Sequence, residues 1–331
     1  MMNLQTPVII PKVNFDITYH STILLFGSCF SENIGLKLIE NKFPVNINPF
    51  GILYNPFSIS RAIHRLLDKR MFSTEDFVEY NNSYHSFMHH GSFSNPNLND
   101  ALSHINKEFT LASSQIEKAD YLLITFGTAY VFSWKETGEI VGNCHKIPAN
   151  QFERERLTID EITTTWKKLI ERLLVSSPNL KILFTVSPIR HFKDGAHNNQ
   201  LSKSILHLSI DNLMQQFPSN AFYFPAYEIM LDELRDYRFY TDDMLHPSQL
   251  AQNYIWKRFG ECYFSKETHS IIGEWQPIHQ SLLHRPNNAF SEAYQKFLHR
   301  TIEDIEAFQQ KYPFISCLSE KKHLARLIQN F

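Results

Sequence analysis

Cysteine is scarce in this chain, and long apolar runs are missing. Its four cysteines, Cys29, Cys144, Cys262 and Cys317, lie far apart with no CxxC pair, which argues against a disulfide framework and leaves free thiols in a reducing compartment. No apolar run approaches the roughly 18 to 20 residues that cross a bilayer. The opening stretch, MMNLQTPVIIPKVNF, has neither a basic leader nor an apolar segment followed by a small-residue cleavage site, so a cytoplasmic protein is expected. An excess of one charge is missing too: 32 basic residues face 34 acidic ones, a formal net of −2, so neither nucleic acid nor an anionic membrane is expected as partner. There is no GxGxxG, no P-loop and no internal repeat, and no cofactor is called for.

What the chain does have is length and bulk. Its 331 residues, 43% hydrophobic with 27 Phe and 14 Tyr, suffice for one large domain with an extension, or for two domains. The organising stretch is TILLFGSCFSEN, Thr22 to Asn33: an apolar run of strand length ends in Gly27, Ser28 and Cys29, and a helix start follows. A small nucleophile lifted on such a turn can use the first N–H groups of the helix to hold an oxyanion. Apolar strands at Tyr121 to Phe126, Lys181 to Ser187 and Ala221 to Phe224 alternate with helical segments, among them one opened by the capping box of Thr158 and Glu161. Such alternation predicts a parallel sheet covered on both faces, with ligands at the carboxyl ends of the strands. The polar turn with Gly138 and Gly142 predicts a hairpin or long loop inserted after the Tyr121 to Phe126 strand. Residues 266–331 show apolar stripes at helical spacing and no further strand, and are expected to form a helical extension to a catalytic domain over 1–265.

The partner for that turn lies in YTDDMLHPS, Tyr240 to Ser248. Asp243 precedes His246 by three residues and Pro247 stops a helix there, so one turn can carry a general base and the carboxylate that orients it. The alternative is that Asp242 and Asp243 cap a helix starting near Pro247. His85 and His89 have the spacing of a helical metal pair but no acidic ligand beside them, so a loop packed over the domain or lining a pocket is expected and no metal site.

GSCFSENIG, NPFGILYNP, ITFGTAYVF, NCHK, SPIRH, YEIMLDELRDYRFY and DDMLHPS, in that order, closely resemble the motifs of the GSCFA family, a branch of the SGNH or GDSL-like hydrolases. The resemblance implies a three-layer α/β/α flavodoxin-like sandwich with a parallel sheet. It implies Ser28 as nucleophile, His246 as base and Asp243 as its orienting residue, in a serine esterase or acyltransferase acting on a small-molecule or O-acyl carbohydrate ester. Of the superfamily's oxyanion donors, the nucleophile's own N–H and Gly51 are matched, but the usual Asn falls at Ala129, which cannot donate from its side chain. Thr128, Asn143 and His145 are the candidates to replace it, and Arg190 is a candidate either for an anionic substrate group or for a salt bridge to one of the acidic residues near Asp236. Two competing readings remain: a non-catalytic binding module on the same fold, and a thiol mechanism on Cys29 with His145 or His246 as base.

Overall fold

A computed structural model describes residues 6–329; residues 1–5 of the opening stretch, and with them part of the leader expectation, lie outside the described residues. Five strands form one parallel sheet: β1 (Ile23–Gly27), β2 (Val45–Ile47), then β5 (Tyr121–Phe126), β9 (Lys181–Val186) and β10 (Ala221–Tyr223), in the order β10-β9-β5-β1-β2. Between them in the chain come β3 (Val78–Tyr80) paired with β4 (Ser83–His85), and β6 (Tyr130–Trp134) flanked by β7 (Ile140–Val141) and β8 (Phe152–Arg156). Counted along the chain, the central order is 2-1-3-4-5, the doubly wound flavodoxin-like arrangement, with its switch point between β1 and β5.

The helices follow from local signals. They are α1 (Cys29–Glu40), α2 (Pro56–Leu67), α3 (Leu98–Ile116), α4 (Ile159–Ser176) and α5 (Gly195–Gln216), then the short α6 (Ala226–Glu228) and α7 (Gln249–Tyr263). Asn55 caps α2 through Ser58 N, with Pro56 at the first position, and the Thr158–Glu161 box opens α4 as expected. One face of the sheet, carrying Leu24, Phe26, Leu122, Ile124, Phe126, Ile182 and Phe184, packs on the apolar stripes of α2 to α5. Trp166 is fully buried there, its Nε1 donating to Pro56 O at 3.1 Å. The opposite-facing Ile23, Leu25, Leu123 and Leu183 are buried as well, as a covered parallel sheet requires.

Two insertions are more ordered than the sequence suggested. The expected loop over 80–97 begins with a hairpin, β3 to β4, turned through Asn81 and Asn82, both left-handed at φ 48° and 56°. The segment after β5 is a three-stranded antiparallel sheet, not a hairpin alone. Its third strand, β8, reads FERER and buries only Phe152, so it carries no apolar alternation to detect.

The chain divides into two compact units. The first holds the described residues up to Pro11, Ser21–Leu36 and Val45–Arg258; the second holds Lys12–His20, Lys37–Pro44 and the described residues from Phe259 on. Within the second, α8 (Lys266–Leu282), α9 (Glu292–Lys311) and α10 (Leu318–Gln329) gather the two earlier segments around them. Trp275 Nε1 donates to Glu40 O at 2.8 Å, Lys42 pairs with Glu320 at 2.8 Å, and Ile17 N donates to Tyr263 O at 2.7 Å.

Candidate active site

The turn after β1 is built around Gly27. Its φ of +150° and its approach to β5, where an added Cβ would lie 2.4 Å from Thr125 O, exclude any side chain. Gly27 N donates to Asn48 Oδ1 at 2.9 Å, and Leu53 N donates to Gly27 O at 2.9 Å, so the NPFGILYNP segment runs along the end of β1. Tyr54 O then accepts from Gly127 N at 2.8 Å and Thr128 N at 3.0 Å, bridging the end of β5.

Helix α1 begins at Cys29, directly after Ser28. Ser28 is 2% exposed, and its Oγ accepts from Phe30 N at 3.3 Å. It does not line the cleft of about 530 Å³ that opens beside the turn, whereas Cys29 does. Burial pushes the Cys29 thiol up, and the N–H groups of Cys29 and Phe30 pull it down by less.

On the same cleft lies His246. Thr241 N donates to His246 O at 2.8 Å, closing a tight turn that Met244 completes in the left-handed region at φ 58°. Asp243 does not cap α7. Its Oδ1 accepts from Leu245 N at 2.9 Å and His246 N at 3.0 Å, and its Oδ2 lies 2.5 Å from His246 Nδ1. Those backbone N–H bonds first, then the imidazole and the Thr241 hydroxyl, hold the carboxyl well below the usual range. His246 Nε2 makes no hydrogen bond among the described residues, and none joins His246 to Ser28.

The expected oxyanion donors separate in space. Gly51, at φ +72° against His90, spends its N–H on Asn48 O at 2.6 Å and does not line the cleft. Thr128 lines it, but its hydroxyl accepts from Tyr130 N at 3.1 Å and is shared with Ser202 at 3.1 Å. His145 sits behind the wall, Nε2 on Ser86 O at 2.9 Å and its ring stacked on His85, and burial lowers it to about 4. Asn143 lines the cleft, and its Oδ1 accepts from His145 N at 2.8 Å. Only oxygen can accept there, so the amide NH2 is the part left over, and it has no hydrogen bond among the described residues.

The His85 and His89 rings are absorbed by packing. His85 bonds Ser94 Oγ and Tyr80 O, and His89 lies between Ser86 Oγ and the face of Phe50. No cluster able to hold a metal occurs among the described residues.

The aromatic wall of the cleft, its Arg154 and the lysine beneath it were not read from the sequence. The aromatic wall of Tyr130 and Phe132 comes from β6, and Arg154 comes from β8. His191, next to Arg190 in the SPIRH motif and read with it as pocket rim, also lines the cleft, held down to about 4 mainly by burial and by the charge of Lys203. Lys203 lies beneath, fully buried, its Nζ donating to Gly127 O and Ser187 O, both at 2.7 Å. A signal existed for it: Lys203 shares the helical face of Leu206, Ile210 and Leu213.

The model of the GSCFA family matches residues 22–259, and that of the GSCFA domain protein, C-terminal domain, matches residues 275–330. None of the curated proteins matches the chain. Among solved structures, a carbohydrate esterase family 3 protein from Talaromyces cellulolyticus resembles it at 8% identity and a TM-score of 0.35, covering 77% of this chain and 99% of that one. At that TM-score the likeness carries no argument. Among the described residues, no helix is long and apolar enough to cross a membrane.

Proposed function

The chain belongs to the GSCFA family, and from that premise we propose that it is an acyl-ester hydrolase or acyltransferase acting on an O-acylated small molecule or carbohydrate. The observation that carries the reading is the Asp243–His246 pair, 2.5 Å apart, on the cleft that also receives the start of α1. Asp243 fixes the imidazole through Nδ1, so that Nε2 can take a proton from a nucleophile as it attacks the ester carbonyl. The alkoxide leaves with that proton, and the acyl-enzyme passes its acyl group to water or to a second hydroxyl. Helix N–H groups at the start of α1 and the Asn143 amide are the proposed donors to the oxyanion.

For the nucleophile we take Cys29, because it, and not Ser28, is among the residues lining the cleft. Ser28, implied by the family resemblance, is the second reading. It is favoured by the upward push of burial on the Cys29 thiol, and it requires the hydroxyl to leave Phe30 N and turn outward.

The test is mass spectrometry after fluorophosphonate and iodoacetamide treatment, beside hydrolysis of 4-nitrophenyl acetate, on wild type, Cys29→Ala and Ser28→Ala. Cys29→Ala is expected to lower kcat/KM by roughly a thousandfold or more, while Ser28→Ala keeps most of it. The reverse pattern assigns Ser28. Hydrolysis retained in both variants would remove both residues as nucleophile, and hydrolysis no faster than buffer in wild type, with no adduct, would leave a binding module without acyl chemistry.

A further inference from the structure

Resting on that reading of the cleft, we infer that its ligand, the ester substrate, carries an anionic group, a carboxylate or a phosphate, seated on Arg190. Of the charged side chains lining the cleft, Arg154 is already neutralised: its Nη2 meets Asp194 Oδ1 at 2.6 Å, and its guanidinium lies 3.9 Å from the centre of the Tyr130 ring. Arg190 has no such partner. Among the described residues it makes no hydrogen bond and no ion pair, and its Nε is buried with nothing to donate to.

The groups around Arg190 explain why it stays unpaired. Its guanidinium carbon lies 4.9 Å from the centre of the Phe192 ring, which steadies the fork without neutralising it. Its charge reaches the phenols of Tyr227 and Tyr240, both of which stay protonated because burial raises them. Lys193 is a second unpaired cation on the lining, while His191, lowered to about 4, is neutral at pH 7. The one acidic side chain lining the cleft, Asp194, is committed to Arg154. Among the described residues, the lining therefore holds two cations without an ion-pair partner, Arg190 and Lys193, and no unpaired carboxylate.

A buried N–H without a partner is unfavourable until something supplies an acceptor. A guanidinium presents its donors as a rigid fork that matches two oxygens of a carboxylate or phosphate at once. Tyr54, Tyr130 and Phe132 offer aromatic faces to the rest of the molecule.

The test uses ligands that cannot react, so that charge recognition is separated from chemistry. Succinate, inorganic phosphate and neutral succinamide are titrated by calorimetry into wild type, Arg190→Gln and Arg190→Lys. Wild type is expected to bind an anion and not succinamide. Arg190→Gln is expected to weaken that binding roughly tenfold to a hundredfold, and Arg190→Lys to restore part of it. Tighter binding of succinate assigns a carboxylate, and tighter binding of phosphate assigns a phosphate. No anion binding by wild type, or equal binding by wild type and Arg190→Gln, overturns the inference.

A kinetic arm compares 4-nitrophenyl acetate with its anionic counterpart, 4-nitrophenyl hydrogen succinate. Arg190→Gln should raise KM for the anionic ester far more than for the neutral one. If wild type binds anions at Arg190 but hydrolyses neither ester, the acyl-transfer reading fails and the anion site stands.

Discussion

Asn143 lines the cleft and accepts from His145 N through its amide oxygen at 2.8 Å, which leaves its NH2 without a hydrogen bond among the described residues. That geometry singles it out from the other residues proposed to fill the place of Ala129, which is buried with its N–H on Ser202 Oγ at 2.8 Å. Removing a donor used mainly in the transition state lowers kcat and leaves KM nearly unchanged. Asn143→Ala is therefore expected to lower kcat on 4-nitrophenyl acetate by roughly tenfold to a thousandfold. A kcat within about twofold of wild type would remove Asn143 from the oxyanion site. At this scale the spacing of Asp243 and His246 was legible, because three residues and a following proline leave few conformations that separate them. Which of Ser28 and Cys29 faces the cleft was not, since it depends on the residue at which α1 starts.

Among the elements, α5 supplies the least expected one of the site. Lys203 ties the carboxyl ends of β5 and β9 through Gly127 O and Ser187 O, and burial pushes its ammonium down to about 7. In the unfolded chain a lysine keeps its proton to about pH 10.4. Between pH 7 and pH 10 the unfolded state therefore binds more protons than the folded one, and stability rises with pH, by at most about 1.4 kcal/mol per pH unit from this group. Lys203→Met removes that dependence. Urea unfolding at pH 6.5, 8 and 9.5 should show wild type gaining on the variant as pH rises. A constant gap between the two across that range would mean that Lys203 does not titrate there. The helices and apolar strands were readable because caps and periodicity are local, as Thr158 and Glu161 show for α4. The charged β8 was not readable, because its pairing with β6, Tyr130 opposite Arg156 through Trp134 opposite Phe152, is made by the backbone.

At the scale of the whole chain, the second unit draws in residues distant in sequence. The α8 to α10 helices meet Glu40, Asn41 and Lys42 through Trp275, Gln276 and Glu320. A chain ended after residue 265 would strand those polar groups and uncover Leu38 and Phe43, which are buried in the full chain. Its thermal midpoint is expected to fall by roughly 5 °C or more, with association visible on size exclusion. An unchanged midpoint would show that 1–265 folds without the helices. The family motifs implied the flavodoxin-like sandwich and its parallel sheet but no strand order; the 2-1-3-4-5 order is read from the structure, and the crevice at its switch point is where Cys29, Thr128 and Arg190 come together.

The sequence by itself determined the alternation of strand and helix, the turn at Gly27, the His246–Asp243 pair and the family, because each is written in residues close together or in motifs in fixed order. Only the tertiary structure decided that Cys29 and not Ser28 is among the residues lining the cleft, that Gly51 spends its N–H on Asn48, and that Arg190 Nε is buried without a hydrogen-bond partner among the described residues. Those outcomes depend on which backbone groups β1, β5 and the 48–55 segment use up in bonding one another. A linear chain does not specify that sharing until the sheet has closed.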